Sequence, residues 1–337
     1  MALLAETVRG PLVESRHDGH IAVVAADGSL VAGVGDADRV TYLRSSGKPA
    51  QALIVVETGA ADRFGLTDGE VAVICGSHTG SDAHRAAAAS VLAKAGLSEA
   101  HLQCGVHAPG DRAAAEALAR AGAEPSPLHN NCSGKHAGML AACVHLGLPT
   151  ETYPQAQHPL QQRILARIAA LSGMPAGDIV LAEDGCGVPT FGIPLSAAAL
   201  LFAHLACDDA PGPRRIRAAM AAHPEMVRGR GDFNTELLRV LGDRIVAKGG
   251  AEALFCIGVR ELAIGIAIRI EDGNGRAMPE VAVSVLDRLG CLTPEDQAAL
   301  PFGTRAPLTN CHGHVVGETR AARFRMRRHR PGGRSMA

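Results

Sequence analysis

Serine and lysine recur in this sequence at spacings from which a nucleophile and its base could be built. Arg44-Ser45-Ser46-Gly47-Lys48-Pro49 places Ser45 three residues before Lys48. On one helical turn those positions share a face, so the amine can sit beside the hydroxyl. A serine attacks a carbonyl carbon only once its proton is removed, and a lysine whose pKa is lowered by burial or a neighbouring cation can remove it. Pro49 limits where that turn can continue. The same residues also fit a capping serine beside a solvated lysine. A second serine, Ser77 in Gly76-Ser77-His78-Thr79-Gly80, follows a short apolar run and precedes a helical stretch. Backbone N–H groups at such a junction can stabilise developing negative charge. A plain helix-capping turn reads the same way, and no base for Ser77 is obvious nearby. Lys248 ends a β-rich stretch before Gly249-Gly250. It is either an active-site amine that other backbone can approach or a solvated lysine at a turn.

Thiols and imidazoles gather in two further stretches. His129 to Gly138 holds two imidazoles, the Cys132 thiol and the Lys135 amine just before a helix, and Glu183 to Pro189 adds Asp184 and Cys186. Two cysteines cannot close a structural zinc site, which takes four protein ligands. With a nitrogen donor and water they could hold zinc in an open tetrahedron. Each thiol alone could equally be buried and inert.

These residues need elements to position them. Residues 20–35 read as a hairpin around an Asp27-Gly28 turn. Residues 71–76 (VAVICG) read as a short buried strand, leading through residues 77–82 into a helix over 83–96 with Ser81 or Asp82 as N-cap. Further helices are expected at 111–122, 136–147, 159–172, 196–206, 213–222 and 279–290. Strands are expected at 244–248, 253–258 and 262–271, the last alternating as if one face were buried. Residues 208–213 read as a linker or surface loop. A hairpin, then helices, then more strands fits an α/β or α+β unit whose sheet draws on both chain ends.

Composition narrows the function classes. The chain has 337 residues, 47% hydrophobic and 20% charged, which is globular rather than disordered. Aromatics reach 3% and tryptophan is absent, so the core must be aliphatic. Thirty-three basic and 34 acidic residues offer no overall electrostatic footprint for nucleic acid. No run of about 18 apolar residues marks a membrane span, and the first twenty residues lack the apolar core of a secretory signal. A cytoplasmic location is expected, and in such a chain nine scattered cysteines, an odd number, favour free thiols. The expected organisation is one catalytic unit over residues 1–320, compatible with two lobes, followed by a basic, disordered tail over 321–337.

The order and wording of RSSGKPAQAL, CGSHTGSDAH, HNNCSGKHAGML, EDGCGVPTF, HPEM and AKGGAE resemble the zinc-containing L-asparaginases typified by the inducible rhizobial enzyme. The resemblance runs from about residue 5 to residue 320. It implies a fold similar to the serine β-lactamases and their glutaminase relatives: α/β (α+β), a mixed sheet flanked by helices beside a helical portion. It implies a Ser45–Lys48 tandem of nucleophile and general base and a second tandem of Ser77 with Lys248. It further implies Zn2+ held by Cys132, Lys135 and Cys186, polar residues Arg44, His136 and Asp184 around the substrate, and a homodimer. The implied reaction releases ammonia from L-asparagine. Two features depart from the pattern: Ala253 stands where Gly is expected, and the Arg-rich tail has no counterpart. Rival readings are a glutaminase or other ω-amidase, since one methylene separates the substrates, and a β-lactamase or peptidase, against which the missing secretion signal counts. A non-enzymatic zinc or thiol sensor is a further rival, for which the serines and lysines would be unnecessary.

Overall fold

The computed structural model describes residues 1–328; of the expected tail, residues 329–337 lie outside the described residues. In chain order the strands are β1 (Ala2–Arg9), β2 (Leu12–Ala25), β3 (Leu30–Val34), β4 (Val40–Tyr42), β5 (Val180–Glu183) and β6 (Pro189–Pro194). They continue as β7 (Ile245–Gly249), β8 (Leu254–Val259), β9 (Ile264–Ile270), β10 (Arg305–Thr309), β11 (Val315–Ala321) and β12 (Arg327–Arg328). The large sheet runs β10-β11-β1-β2-β9-β8-β7. The long β2 pairs with β1 through its first half and with β3 through its second, and β12 lies outside β3. Every recorded pairing is antiparallel, so this is an α/β fold whose sheet is antiparallel rather than mixed in direction. The sheet draws on both chain ends, as expected. The start of the expected tail is part of it: Arg327 and Arg328 pair with Gly33 and Ala32.

The core follows from aliphatic strands covered on both faces. The alternation of LAIGIAIRIE suggests one buried face, yet every residue of β9 except Arg269 is buried. The helix Leu195–Cys207 supplies the second cover. A Cβ on Gly265 would stand 1.7 Å from Ala199 O, and one on Gly258 2.0 Å from Phe202 O, so only glycine admits the helix backbone there. The helices expected at 111–122, 159–172, 196–206, 213–222 and 279–290 form within about two residues of those bounds. No helix of the described residues is long and apolar enough to cross a membrane.

One expected element changes type. The 71–76 run is the end of a helix, Asp68–Ile74, not a strand. Four apolar residues in a row carry no period that separates strand from buried helix. What decides is Thr67: its side chain accepts from Glu70 N, while Glu70 Oε2 accepts from Thr67 N at 2.7 Å, a capping box that starts the helix. Ser77 therefore sits in a turn between two helices, the second (Asp82–Lys94) capped by Ser81.

Candidate active site

Three structural joints bring the candidate residues together. The first is the 3-10 turn Arg44–Gly47, which runs directly into the helix Lys48–Glu57. Pro49 does not stop this helix, because in the first turn its missing N–H has no acceptor to satisfy. Arg44 has φ 46°, a left-handed conformation that side chains other than glycine rarely adopt, and such strain gathers at functional sites. The second joint is a small sheet ordered β4-β6-β5. Its β5–β6 hairpin carries Asp184 and Cys186 in the turn, and Leu43 N donates to Phe191 O at 2.9 Å, tying the Ser45 turn to β6. The third is the edge strand β7, which carries Lys248. A Cβ on Gly250 would lie 2.8 Å from Leu43 O and 3.3 Å from Ser46 N, so glycine lets the Ser45 turn rest on the end of β7.

Between these joints lies a cleft of about 650 Å³ whose lining includes Ser45, Ser77, Asn131, Lys248 and the segment Gly231–Asn234. Lys48 lies buried behind it. Its Nζ is 2.8 Å from Gly76 O, 3.2 Å from Asn131 O and 2.9 Å from Ser77 Oγ. Burial lowers the pKa of this amine. The two carbonyls and the Ser77 hydroxyl oxygen give its N–H groups three acceptors. The structure thus brings Lys48 against Ser77, two residues that the family resemblance puts in different tandems. Ser45 is half-buried at the cleft. Lys248 is also fully buried; desolvation first, and the charge of Lys48 second, hold its amine well below the usual lysine range. Its Nζ donates to Gly249 O at 2.7 Å. Asn234 brackets it, donating from Nδ2 to Ala247 O at 2.9 Å and accepting from Gly249 N at 3.0 Å.

The thiols meet beside this pair. Lys135 Nζ donates to Cys186 Sγ at 3.0 Å. A hydrogen bond from the Cys186 thiol, helped by the charges of Lys48 and Lys135, holds Cys132 well below the ordinary thiol range despite burial. The same contact pushes Cys186 up. Burial opposes charge on Lys135, but the two sulfurs outweigh it and its amine stays above the ordinary lysine value. Among the described residues no group of three or more His, Cys, Asp or Glu side chains is placed to hold a metal, so a metal here would need the lysine. Two sulfurs and one amine nitrogen, buried and in mutual contact, fit the donor chemistry of Zn2+ with one position left open.

The remaining candidates divide. Arg44 Nε donates to Asp184 Oδ1 at 2.7 Å, and neither residue lines the cleft; their charges answer each other. Burial works against the Asp184 carboxylate, but Lys135 and Arg44 prevail and hold its pKa down. His136 is fully buried and pairs through Nδ1 with Tyr153 Oη at 2.7 Å, away from the cleft lining. Burial keeps it neutral. Its place is inside the helix Ser133–Leu146. Sequence reasoning missed Arg228, Asp232 and Asn234, which all line the cleft. The signal was there: Arg228-Gly-Arg-Gly-Asp232 alternates charge with glycine one residue after HPEM. Ala253, where the resemblance led us to expect glycine, has φ 50°, next to Glu252 at φ 58°, so the backbone there is of the kind glycine favours.

The family model described as L-asparaginase II matches residues 5–321. A comparison with curated proteins returns no match. Among solved structures, the chain is similar to the native form of a protein called Mglu, with 14% identity and a TM-score of 0.44 over 85% of this chain and 67% of that one. It is also similar to a β-lactamase from Mycobacterium bovis, with 14% identity and a TM-score of 0.42 over 80% of this chain and 94% of that one.

Proposed function

The chain belongs to the L-asparaginase II family, whose members are amidohydrolases, and from that premise we propose that it hydrolyses the side-chain amide of L-asparagine at the Ser45–Ser77 cleft. The observation that carries this reading is the buried Lys48 amine, with two carbonyls on its N–H groups and a serine hydroxyl at 2.9 Å. Ser45, the more accessible hydroxyl, attacks the amide carbon and passes its proton to Lys48, which acts in its neutral form. Ser77 then takes a proton from Lys48 while giving its own to the departing nitrogen. The C–N bond breaks, ammonia leaves, and aspartate is held as an ester on Ser45 Oγ. Water, deprotonated through the same relay, hydrolyses that ester and restores the serine. Lys248, whose strand Asn234 braces through Ala247 O and Gly249 N, supplies a second amine at the cleft for the oxygen that gains charge.

Zn2+ belongs to the proposal. Cys132, Cys186 and Lys135 would hold it, and when bound it supplies Lewis-acid polarisation and pins the two loops that carry the cysteines.

The test is ammonia release by the purified protein from L-asparagine and from L-glutamine. Faster release from asparagine is expected; release from glutamine alone would make the protein a glutaminase instead. Ser45→Ala should lose far more than the roughly 10²–10³-fold typical of one oxyanion donor, because the covalent route disappears. Mass spectrometry of protein quenched during turnover should locate the aspartyl ester on Ser45. An ester on Ser77 would exchange the two serine roles, a reading favoured by the Lys48–Ser77 contact. No ester on either residue would remove covalent catalysis.

A further inference from the structure

Hydrolysing a side-chain amide does not require the enzyme to recognise the α-carbon of its substrate, yet the cleft holds a charge pair suited to that task. Arg228 and Asp232 both line it. Arg228 Nη1 donates to Ser77 O at 3.1 Å and Nε to Asp232 Oδ2 at 3.2 Å. The turn that carries Arg228 is fastened to the reacting region, since Ser77 N donates to Val227 O at 2.7 Å. Gly76 permits that approach: a Cβ there would lie 2.5 Å from Met226 O. Asp232 is fixed as well, its Oδ1 accepting from Asn234 N at 2.9 Å.

The two side chains remain 42% and 36% exposed, so their ion pair faces the water of the cleft. A pair this open adds little stability. It stands ready to exchange partners at small cost. The Arg44–Asp184 pair differs in each respect: it is shorter, Asp184 is only 11% exposed, and it lies off the cleft lining.

We propose that Arg228 and Asp232 form a clamp for the zwitterionic head of an α-amino acid, Arg228 taking the α-carboxylate and Asp232 the α-ammonium. The proposal rests on the reading of this cleft as the amidase site. A guanidinium meets a carboxylate through paired N–H donors. A zwitterion that enters between the two groups replaces one ion pair with two and leaves no charge unanswered. A ligand lacking either charge strands one partner, and stranded polar groups are the main source of strong discrimination. The clamp therefore selects free α-amino acid amides over simple amides and over asparagine within a peptide chain.

Three amides separate the two charges: L-asparagine, succinamate without the ammonium, and β-alaninamide without the carboxylate. The native protein should favour asparagine over each by roughly 10- to 100-fold in kcat/KM. Arg228→Gln should lower kcat/KM for asparagine and succinamate far more than for β-alaninamide. Asp232→Asn should lower it for asparagine and β-alaninamide far more than for succinamate. Equal losses on all three amides, or no loss, would overturn the clamp. Calorimetric binding of L-aspartate, succinate and β-alanine to the same proteins reads the clamp without turnover. Weaker L-aspartate binding in both variants, with the corresponding single-charge ligand insensitive to each, supports it; equal binding of all three ligands by the native protein overturns it. Absence of ammonia release by the native protein would count against the amidase reading alone, and these binding data would still decide the clamp. Arg228→Lys and Asp232→Glu, which keep the charges, should retain the order of preference, whereas a merely structural role would not follow charge.

Discussion

Lys48 and Lys135 are both buried, and burial penalises an ammonium in either place. They diverge because of what they face. Lys48 meets two carbonyls and a hydroxyl, and its pKa falls. Lys135 meets the Cys186 sulfur with Cys132 close by, and its pKa rises. Desolvation thus makes the proton of Lys48 easier to lose, while the sulfurs hold that of Lys135 until something replaces it as their partner. A divalent cation is such a replacement, because metal binding releases protons from its ligands. The expected outcome is one zinc per chain in protein prepared with zinc, with Cys186→Ala losing most of it while keeping its fold. Elemental analysis beside circular dichroism checks this. Full zinc content in the Cys186→Ala protein, or none in the native chain, would exclude the Cys132–Lys135–Cys186 set.

At the scale of elements, the site depends on backbones that approach closely, and glycine sets the distance. Gly250→Ala would press a methyl group against Leu43 O and Ser46 N, neither of which is a flexible side-chain end. The Ser45 turn must then move. Overpacking of this kind costs about 1–3 kcal/mol, and a displacement near 1 Å of a reacting group can cost roughly 10²-fold in rate. Turnover should thus fall more steeply than stability. Gly177→Ala, where a Cβ meets nothing within 4 Å, provides the comparison. Kinetics and urea unfolding of both variants check this, and a fully active Gly250→Ala would show that the contact is slack. The same joints explain what could be read from the sequence. Helix ends announced themselves through local chemistry such as Ser81 before Asp82 and Pro159 after His158. The end of the 68–74 helix reads as a strand because the capping box that marks the helix lies upstream of the apolar run. Strand β1 and the β10–β11 hairpin went unread; β1 sits between its neighbour β2 and β11, and its β11 partners lie more than 300 residues away. The candidate residues were legible one by one. Which lysine meets which serine was not, because Lys48 and Ser77 are joined by the packing of separate elements rather than by any spacing.

Over the whole molecule, burial of histidine sets an acid limit. His78 and His84 stack with ring centroids 5.1 Å apart. His78 Nε2 lies 2.9 Å from Ser133 Oγ, and His84 Nε2 lies 2.8 Å from Glu225 O, so the pair links the helix Ser133–Leu146 to the turn preceding Arg228. Desolvation, followed for His78 by the nearness of His84, lowers the pKa of His78 well below 6.5; desolvation also lowers that of His84. Above pH 6.5 both folded and unfolded chains carry these rings neutral, and nothing is lost. As pH falls below 6.5 the unfolded chain takes up protons that the folded chain refuses. The stability present above 6.5 therefore declines toward the folded pKa values, by up to about 1.4 kcal/mol per pH unit for each ring. Charging both rings would also set two cations face to face. The midpoint of urea unfolding should fall between pH 6.5 and 5. His84→Gln, which keeps a donor for Glu225 O but cannot titrate, should flatten that slope by up to the share of one ring. Unfolding curves of the two proteins at four or five pH values give the answer. Identical slopes would mean that the acid sensitivity resides in other groups and that this stack is not where the fold yields first.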